Sequence, residues 1–273
     1  MKSSVYLRSD IPFLRNDRPL IMAHRGRSAY TPESSYQSFK EAYDLDVDVL
    51  ETDIRLTKDG IPVIFHDESL DRTTNGIGPI IDYTFDELQA FDLGYWYQDS
   101  ISGEYPYRNK EFKILSLVEF LDKFPKIRIN LDIKDELKEA PENILDAIIS
   151  SNAIDRVLLG SFHHKQIRKF RDICIQWRIP TSASPLEVLA FLGHFTLFSH
   201  KKFCAFQVPI KYNFLKIVTP RSIKRAHKWN LAVHPWTIND EQAMMNLLNL
   251  GIDGIFTDDP GLLLKVWNSY RLK

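Results

Sequence analysis

Glu51 and Asp53 lie two residues apart inside an apolar, β-branched run spanning 47–54. In an extended strand that spacing aims both side chains to the same side. A third carboxylate, Asp132, lies near the end of a similar run over 127–134, with Lys134 following at the same spacing. Carboxylates projecting from buried strands are costly unless something neutralises them. A cation, an Arg or Lys partner, or a shared proton can do so. Converging oxygen donors suit hard ions, Mg2+ or Ca2+, which keep water or substrate phosphate as further ligands. The plainer alternative for Glu51 and Asp53 is a salt bridge to Arg25, Arg55 or Lys134. Two histidines tip the reading toward chemistry: His24 ends the run 20–24 ahead of Arg25-Gly26, and His66 ends 62–66. Imidazole exchanges protons near neutral pH. Cleaving a phosphodiester requires a group that deprotonates the nucleophile, another that protonates the leaving alkoxide, and positive charge on the non-bridging oxygens. His24 and His66 fit the first two needs; a metal with Arg25 and Lys134 fits the third. His163, His164, His194, His200 and His227 lie mainly in helical or connecting stretches and read as structural, and His234, just before Trp236, is left open.

The positions of these groups depend on the elements that carry them. Short apolar runs at 20–24, 47–54, 62–66, 127–134, 156–162, 181–184, 204–208, 231–236 and 254–257 alternate with amphipathic patterns at 33–44, 116–124, 141–152, 164–174, 185–192, 220–229 and 240–250. That alternation is the signature of repeated βα units. It holds one strand too many for an eight-stranded barrel. Lys58-Asp59-Gly60 resolves the excess, because Asp-Gly between apolar runs signals a hairpin, making 62–66 the return arm of the second strand. The expected architecture is α/β, a (β/α)8 TIM barrel with that hairpin extension. Active sites of such barrels form where strands end, which is where His24, Glu51, Asp53, Asp132, Lys134, Trp236 and Asp258 fall. Residues 67–112 hold turn signals and the aromatics Tyr95, Trp96, Tyr97, Tyr105 and Tyr107. That stretch is too long for a plain loop, so a small insertion subdomain is expected there.

With 273 residues, 44% hydrophobic and 26% charged, the chain is expected to form one barrel domain over 20–273 behind an N-terminal extension at 1–19. A net charge of −1 argues against nucleic acid or an anionic membrane surface as the main partner. No run approaches the roughly 20 apolar residues of a membrane helix, and the N-terminus lacks a signal-peptide core. Cys174 and Cys204 read as buried, reduced thiols. A cytoplasmic protein is the expectation.

The series His24-Arg25-Gly26, Pro32-Glu33, Glu51-Thr52-Asp53, Val63-Ile64-Phe65-His66-Asp67, Leu131-Asp132-Ile133-Lys134, Trp236-Thr237-Ile238-Asn239 and the stretch 251–258 resembles the glycerophosphodiester phosphodiesterase family, in order and over nearly the whole chain. Asp71-Arg72-Thr73-Thr74-Asn75-Gly76 resembles the start of that family's insertion. The resemblance implies hydrolysis of a glycerophosphodiester to glycerol 3-phosphate and an alcohol. It implies a divalent cation on Glu51, Asp53 and Asp132, with His24 and His66 as acid and base. Arg25 and Lys134 would then hold phosphate, with Trp236 against the glycerol. Attack by the glycerol 2-hydroxyl through a cyclic phosphate and direct attack by water both fit. Two departures stand out. Asp132 replaces the family's usual Glu, which bears on metal preference. Pro32-Glu33-Ser34-Ser35 replaces Pro-Glu-Asn-Thr, with Glu33 either orienting the site or serving as a helix N-terminal carboxylate. A competing enzyme reading is lysophospholipase-D-like hydrolysis, with an acyl chain against the insertion's aromatics and transient lipid contact. A non-catalytic binding protein on the same scaffold is the third.

Overall fold

The structure, a computed structural model, describes residues 10–193 and 203–272. Its strands are β1 (Leu20–His24), β2 (Val49–Leu56), β3 (Pro62–Ile64), β4 (Arg128–Ile133), β5 (Val157–Gly160), β6 (Ala205–Pro209), β7 (Lys211–Tyr212), β8 (Leu215–Lys216), β9 (Ala232–Trp236) and β10 (Gly254–Thr257). The helices are α1 (Tyr36–Asp44), α2 (Phe85–Leu88), α3 (Leu117–Lys123), α4 (Ala140–Ser150), α5 (His164–Ile173), α6 (Pro185–Leu192), α7 (Pro220–Lys228), α8 (Glu241–Asn249) and α9 (Pro260–Tyr270).

Parallel pairing runs β10-β1-β2-β4-β5, and β6 with β9 forms a second parallel pair. Residues 181–182 join the two sheets. Ser182 N donates to Leu159 O at 2.8 Å, and Cys204 N donates to Thr181 O at 2.9 Å. On the far side Asp253 N donates to Val233 O at 3.0 Å, and Leu20 N donates to Asp253 O at 2.9 Å. The hydrogen-bonded path thus passes from β1 through β2, β4, β5, 181–182, β6, β9 and β10 back to β1, the order of a (β/α)8 barrel. The strand expected over 181–184 is reduced to isolated bridges at Thr181 and Ser182.

Alternation along the strands builds two cores. Leu50, Ile54 and Leu56 of β2 and Ile129, Leu131 and Ile133 of β4 share the outer core with Phe39, Phe120, Ile144 and Ile148 of the helices. Leu20, Met22, Val49, Leu158 and Phe256 form a separate core with Phe13 and Leu14, which belong to the 3-10 turn Pro12–Leu14. The barrel's opposite end is left for polar side chains.

The hairpin forms as expected. β3 lies antiparallel to β2, and Gly60 supplies the left-handed turn at φ 77°. Beyond β3, Phe65 N donates to Asp53 O at 3.1 Å, which keeps His66 beside the end of β2. α1 starts three residues later than the pattern suggests, because Ser34 takes φ 61° and Ser35 becomes the cap, its hydroxyl accepting from Ser38 N. α9 is an addition, signalled by Asp259 ahead of Pro260, the aspartate accepting from Leu262 N at 3.0 Å. The insertion carries α2 and the 3-10 turn Ile80–Asp82 around Leu70, Ile80, Leu88 and Leu93, packed with Val63 and Phe65. The hydroxyls of its Tyr97 and Tyr107 donate to the carbonyls of Ala29 and Tyr30 in the β1–α1 loop. Cys174 and Cys204 are both buried and are not joined in a disulfide. Among the described residues no helix is long and apolar enough to cross a membrane. His194, His200 and residues 1–9 of the N-terminal extension lie outside the described residues.

Candidate active site

Strand register assembles the site. His24 stands opposite Glu51, Glu51 opposite Asn130, and Asp53 opposite Asp132. The Glu51 and Asp53 carboxyl groups are buried, at 6% and 1% exposure. Lys134 Nζ reaches Asp53 Oδ1 at 2.9 Å and Asp132 Oδ2 at 2.6 Å. Arg25 Nε lies 2.9 Å from Asp53 Oδ2, and its Nη1 donates to Glu33 Oε1 at 3.0 Å. Among the described residues Glu51 accepts the Arg25 backbone N–H alone, at 3.2 Å, with His24 Nε2 3.9 Å away.

These surroundings treat the carboxylates unequally. Burial raises Asp53, but Lys134 and then Arg25 outweigh it and hold the group below the usual carboxylate range. Burial pushes Glu51 up to about 7, with His24 and Arg25 opposing the shift only in part. Asp132 is also raised by burial, despite Lys134 beside it. The salt-bridge alternative is therefore realised at Asp53, and Lys134 pairs with Asp132 as well, while Glu51 has no lysine or arginine side chain within 4 Å among the described residues. Arg55 takes no part, since it donates to Asp135 at 2.8 Å and to the His66 carbonyl at 2.9 Å. Among the described residues no three His, Cys, Asp or Glu side chains are drawn together as a ready metal-ligand group. The donor chemistry nonetheless suits a hard divalent ion: carboxylate oxygens on adjacent strands, with Glu51 the least neutralised.

Both histidines are anchored through Nδ1. For His24 the partner is Asp258 Oδ1 at 2.7 Å; the same carboxylate accepts from Ser28 Oγ at 3.0 Å and Asn239 Nδ2 at 2.6 Å. For His66 it is Asp67 Oδ1 at 2.5 Å, and Asp67 accepts in turn from Arg72. Arg72 also donates to both oxygens of Glu33, at 2.7 and 2.8 Å. Glu33 thus ties Arg25 to Arg72 and lies outside α1, so the helix N-terminal reading of it does not hold. Burial disfavours charge on both rings. At His24 the opposing pull of Glu51 and Asp258 prevails and its pKa rises; at His66 burial prevails and the pKa falls. Sequence reasoning placed Asp258 at a strand end without a role and missed Asp67, Arg72 and Ser28 as partners. Asp67 carried the one local signal, adjacency to His66.

Every expected site residue except Glu33 and Asp258 lines one cavity of about 570 Å³. Trp236 meets Phe162 edge-on at 5.7 Å, and Lys134 Nζ lies 5.2 Å from the Phe162 ring centre. The cavity's other wall is apolar, with Leu186, Leu189 and Leu192 of α6 joined by Tyr212, Leu215 and Ile217. The insertion's aromatics are not among its lining residues. Tyr95, Trp96 and Tyr105 surround the Arg108 guanidinium at 3.9–4.8 Å, and Tyr97 packs on Tyr107. Trp96 and Tyr105 are exposed and none of the five joins the insertion's buried core, so the insertion-core reading of them does not hold; an acyl chain bound in this cavity would meet α6 and the 212–217 segment. His234 is fully buried beside Phe256 and does not line the cavity. His163, His164 and His227 bond Glu136, Ser184 and Asp253.

Fold and site together place the chain among hydrolases of phosphate diesters. The pattern of the glycerophosphoryl diester phosphodiesterase family matches residues 24–262. A glycerophosphodiester phosphodiesterase of Caldanaerobacter subterraneus subsp. tengcongensis is 30% identical, over 91% of this chain and 98% of its own length. A putative glycerophosphoryl diester phosphodiesterase from Silicibacter pomeroyi superposes with a TM-score of 0.79 at 20% identity, covering 97% of this chain and 98% of its own. An Oleispira antarctica phosphodiesterase, solved with the product sn-glycerol-3-phosphate, superposes at 0.74 with 24% identity, over 92% and 97% of the two chains. The chain belongs to the glycerophosphoryl diester phosphodiesterase family. It hydrolyses glycerophosphodiesters, and the family generally depends on a divalent cation.

Proposed function

We propose that the chain cleaves glycerophosphodiesters to glycerol 3-phosphate and an alcohol, with His24 and His66 as the acid/base pair and residues 20–273 acting as one domain. The observation that carries this is the anchoring of both imidazoles through Nδ1 at the edge of one cavity, which leaves each Nε2 for a substrate proton. One ring takes the proton of the attacking hydroxyl, whether water or the glycerol 2-hydroxyl; the other protonates the departing alkoxide. Arg25 and Lys134 neutralise the non-bridging phosphate oxygens, and Trp236 packs against the glycerol. Glu33 positions Arg25. Glu51, Asp53 and Asp132 would hold the divalent cation, Mg2+ or Ca2+. When bound, that ion polarises a phosphoryl oxygen and neutralises the carboxylates. His24→Ala and His66→Ala, assayed by glycerol 3-phosphate release from glycerophosphocholine, should each lower kcat by about 10² or more. Wild-type turnover in either variant, with the fold intact by circular dichroism, removes that residue from the mechanism.

A further inference from the structure

We propose that the hairpin β7–β8, with the exposed side of α6, docks the mouth of the catalytic cavity onto an anionic lipid surface. The hairpin reads Lys211-Tyr212-Asn213-Phe214-Leu215-Lys216. Lys211 pairs with Lys216 and Tyr212 with Leu215, and the turn is made by Asn213 at φ 52°. Phe214 at its tip is 99% exposed and Tyr212 66%; on α6, Leu186 and Leu189 are 55% and 59% exposed. Scattered exposed apolar side chains are ordinary, but a group of them gathered at one opening marks an interaction site. Tyr212, Leu215, Leu186 and Leu189 all line the catalytic cavity, so the patch belongs to its mouth.

Charge selects the occupant. A lysine stands on each side of the apolar tip. Beyond the hairpin, Arg221, Lys224, Arg225 and Lys228 of α7 surround a shallow basic concavity. The Arg225 guanidinium lies 4.1 Å over the Phe191 ring of α6, so the basic surface and the helix bearing the leucines adjoin. An apolar tip between lysines suits the boundary of an anionic bilayer. The aromatic ring enters the interface, and the ammonium groups stay with the headgroups. The net charge of −1 averages this patch with acidic surface elsewhere and conceals it. A second copy of the chain fits worse, because a two-fold contact on this patch brings its lysines toward one another.

Docking extends the glycerophosphodiester reading without depending on it, since its readout needs no catalysis. The test is flotation of the full chain with phosphatidylcholine vesicles, alone or with about one third phosphatidylglycerol. The anionic vesicles should capture the chain, less so as salt rises. Phe214→Ser should weaken partition about tenfold, and Lys211→Glu and Lys216→Glu roughly fivefold each or more. Glycerophosphocholine turnover should hold in all three, because none of these side chains lines the cavity. Failure of the wild-type chain to float with anionic vesicles overturns the proposal, as does wild-type partition in the variants. A concentration-dependent dimer abolished by Phe214→Ser would assign the patch to a second copy and overturn it equally.

Discussion

His24 and His66 differ in what holds them, and that difference was only half visible in the sequence. Glu51, Asp53, Asp132 and Lys134 could be found by local arithmetic, since a spacing of two on a strand fixes a shared face. Asp258 could not be assigned its partner that way: it lies 234 residues from His24 and meets it only when β10 lies against β1. Arg72 and Glu33 were hidden similarly, being brought together by the insertion, 39 residues apart. Asp258→Asn keeps the size of the group but removes the charge that orients and favours the protonated His24 ring. It should lower kcat on glycerophosphocholine roughly tenfold or more with KM little changed. A KM effect alone, or none at all, would make Asp258 a packing residue.

Among elements, the weak point of the ring is 181–182, which has bridges where a strand was expected. Side chains compensate there. Arg171 of α5 donates to Thr181 Oγ1 and the Ser182 carbonyl, each at 2.8 Å, and to both oxygens of Glu187, at 2.6 and 3.0 Å. Glu187 in turn closes the capping box of Ser184 at the start of α6. Burial raises the Glu187 carboxyl, but Arg171 outweighs it and the net pKa is depressed below the ordinary 4.5. A depressed carboxyl contributes stability that is present above 4.5 and lost as pH falls through the lower folded value. Glu187→Gln strands the buried guanidinium. It should cost about 3 kcal/mol near neutral pH and flatten the acid loss below that window, both readable by urea denaturation. An unchanged midpoint and acid limb would show that the clamp contributes nothing. The sequence reading over-extended this strand because it saw Thr181–Ser184 as β-forming and could not see an arginine arriving from α5. The hairpin after β2 was easier, since Asp59-Gly60 encodes its turn locally.

For the molecule as a whole, barrel order was legible because the βα alternation admits few closures, and α9 was missed although Asp259-Pro260 announced it. The carboxylate cluster also bears on global stability. An ion that binds the folded chain and not the unfolded one raises Tm with its concentration. Increasing Mg2+ or Ca2+ should therefore raise Tm progressively, and EDTA should abolish glycerophosphocholine turnover until either ion is restored. A Tm indifferent to both ions, with chelator-resistant turnover, would mean that the carboxylates pair with Lys134 and Arg25 and bind no metal.

The bond between His24 and Asp258 joins the first strand of the barrel to the end of the last. During translation the carboxylates of β2 and β4 and the hairpin bearing His66 all emerge long before Asp258 does. Until that residue is made, His24 lacks its anchor. Closure of the ring and anchoring of the His24 imidazole are thus one event.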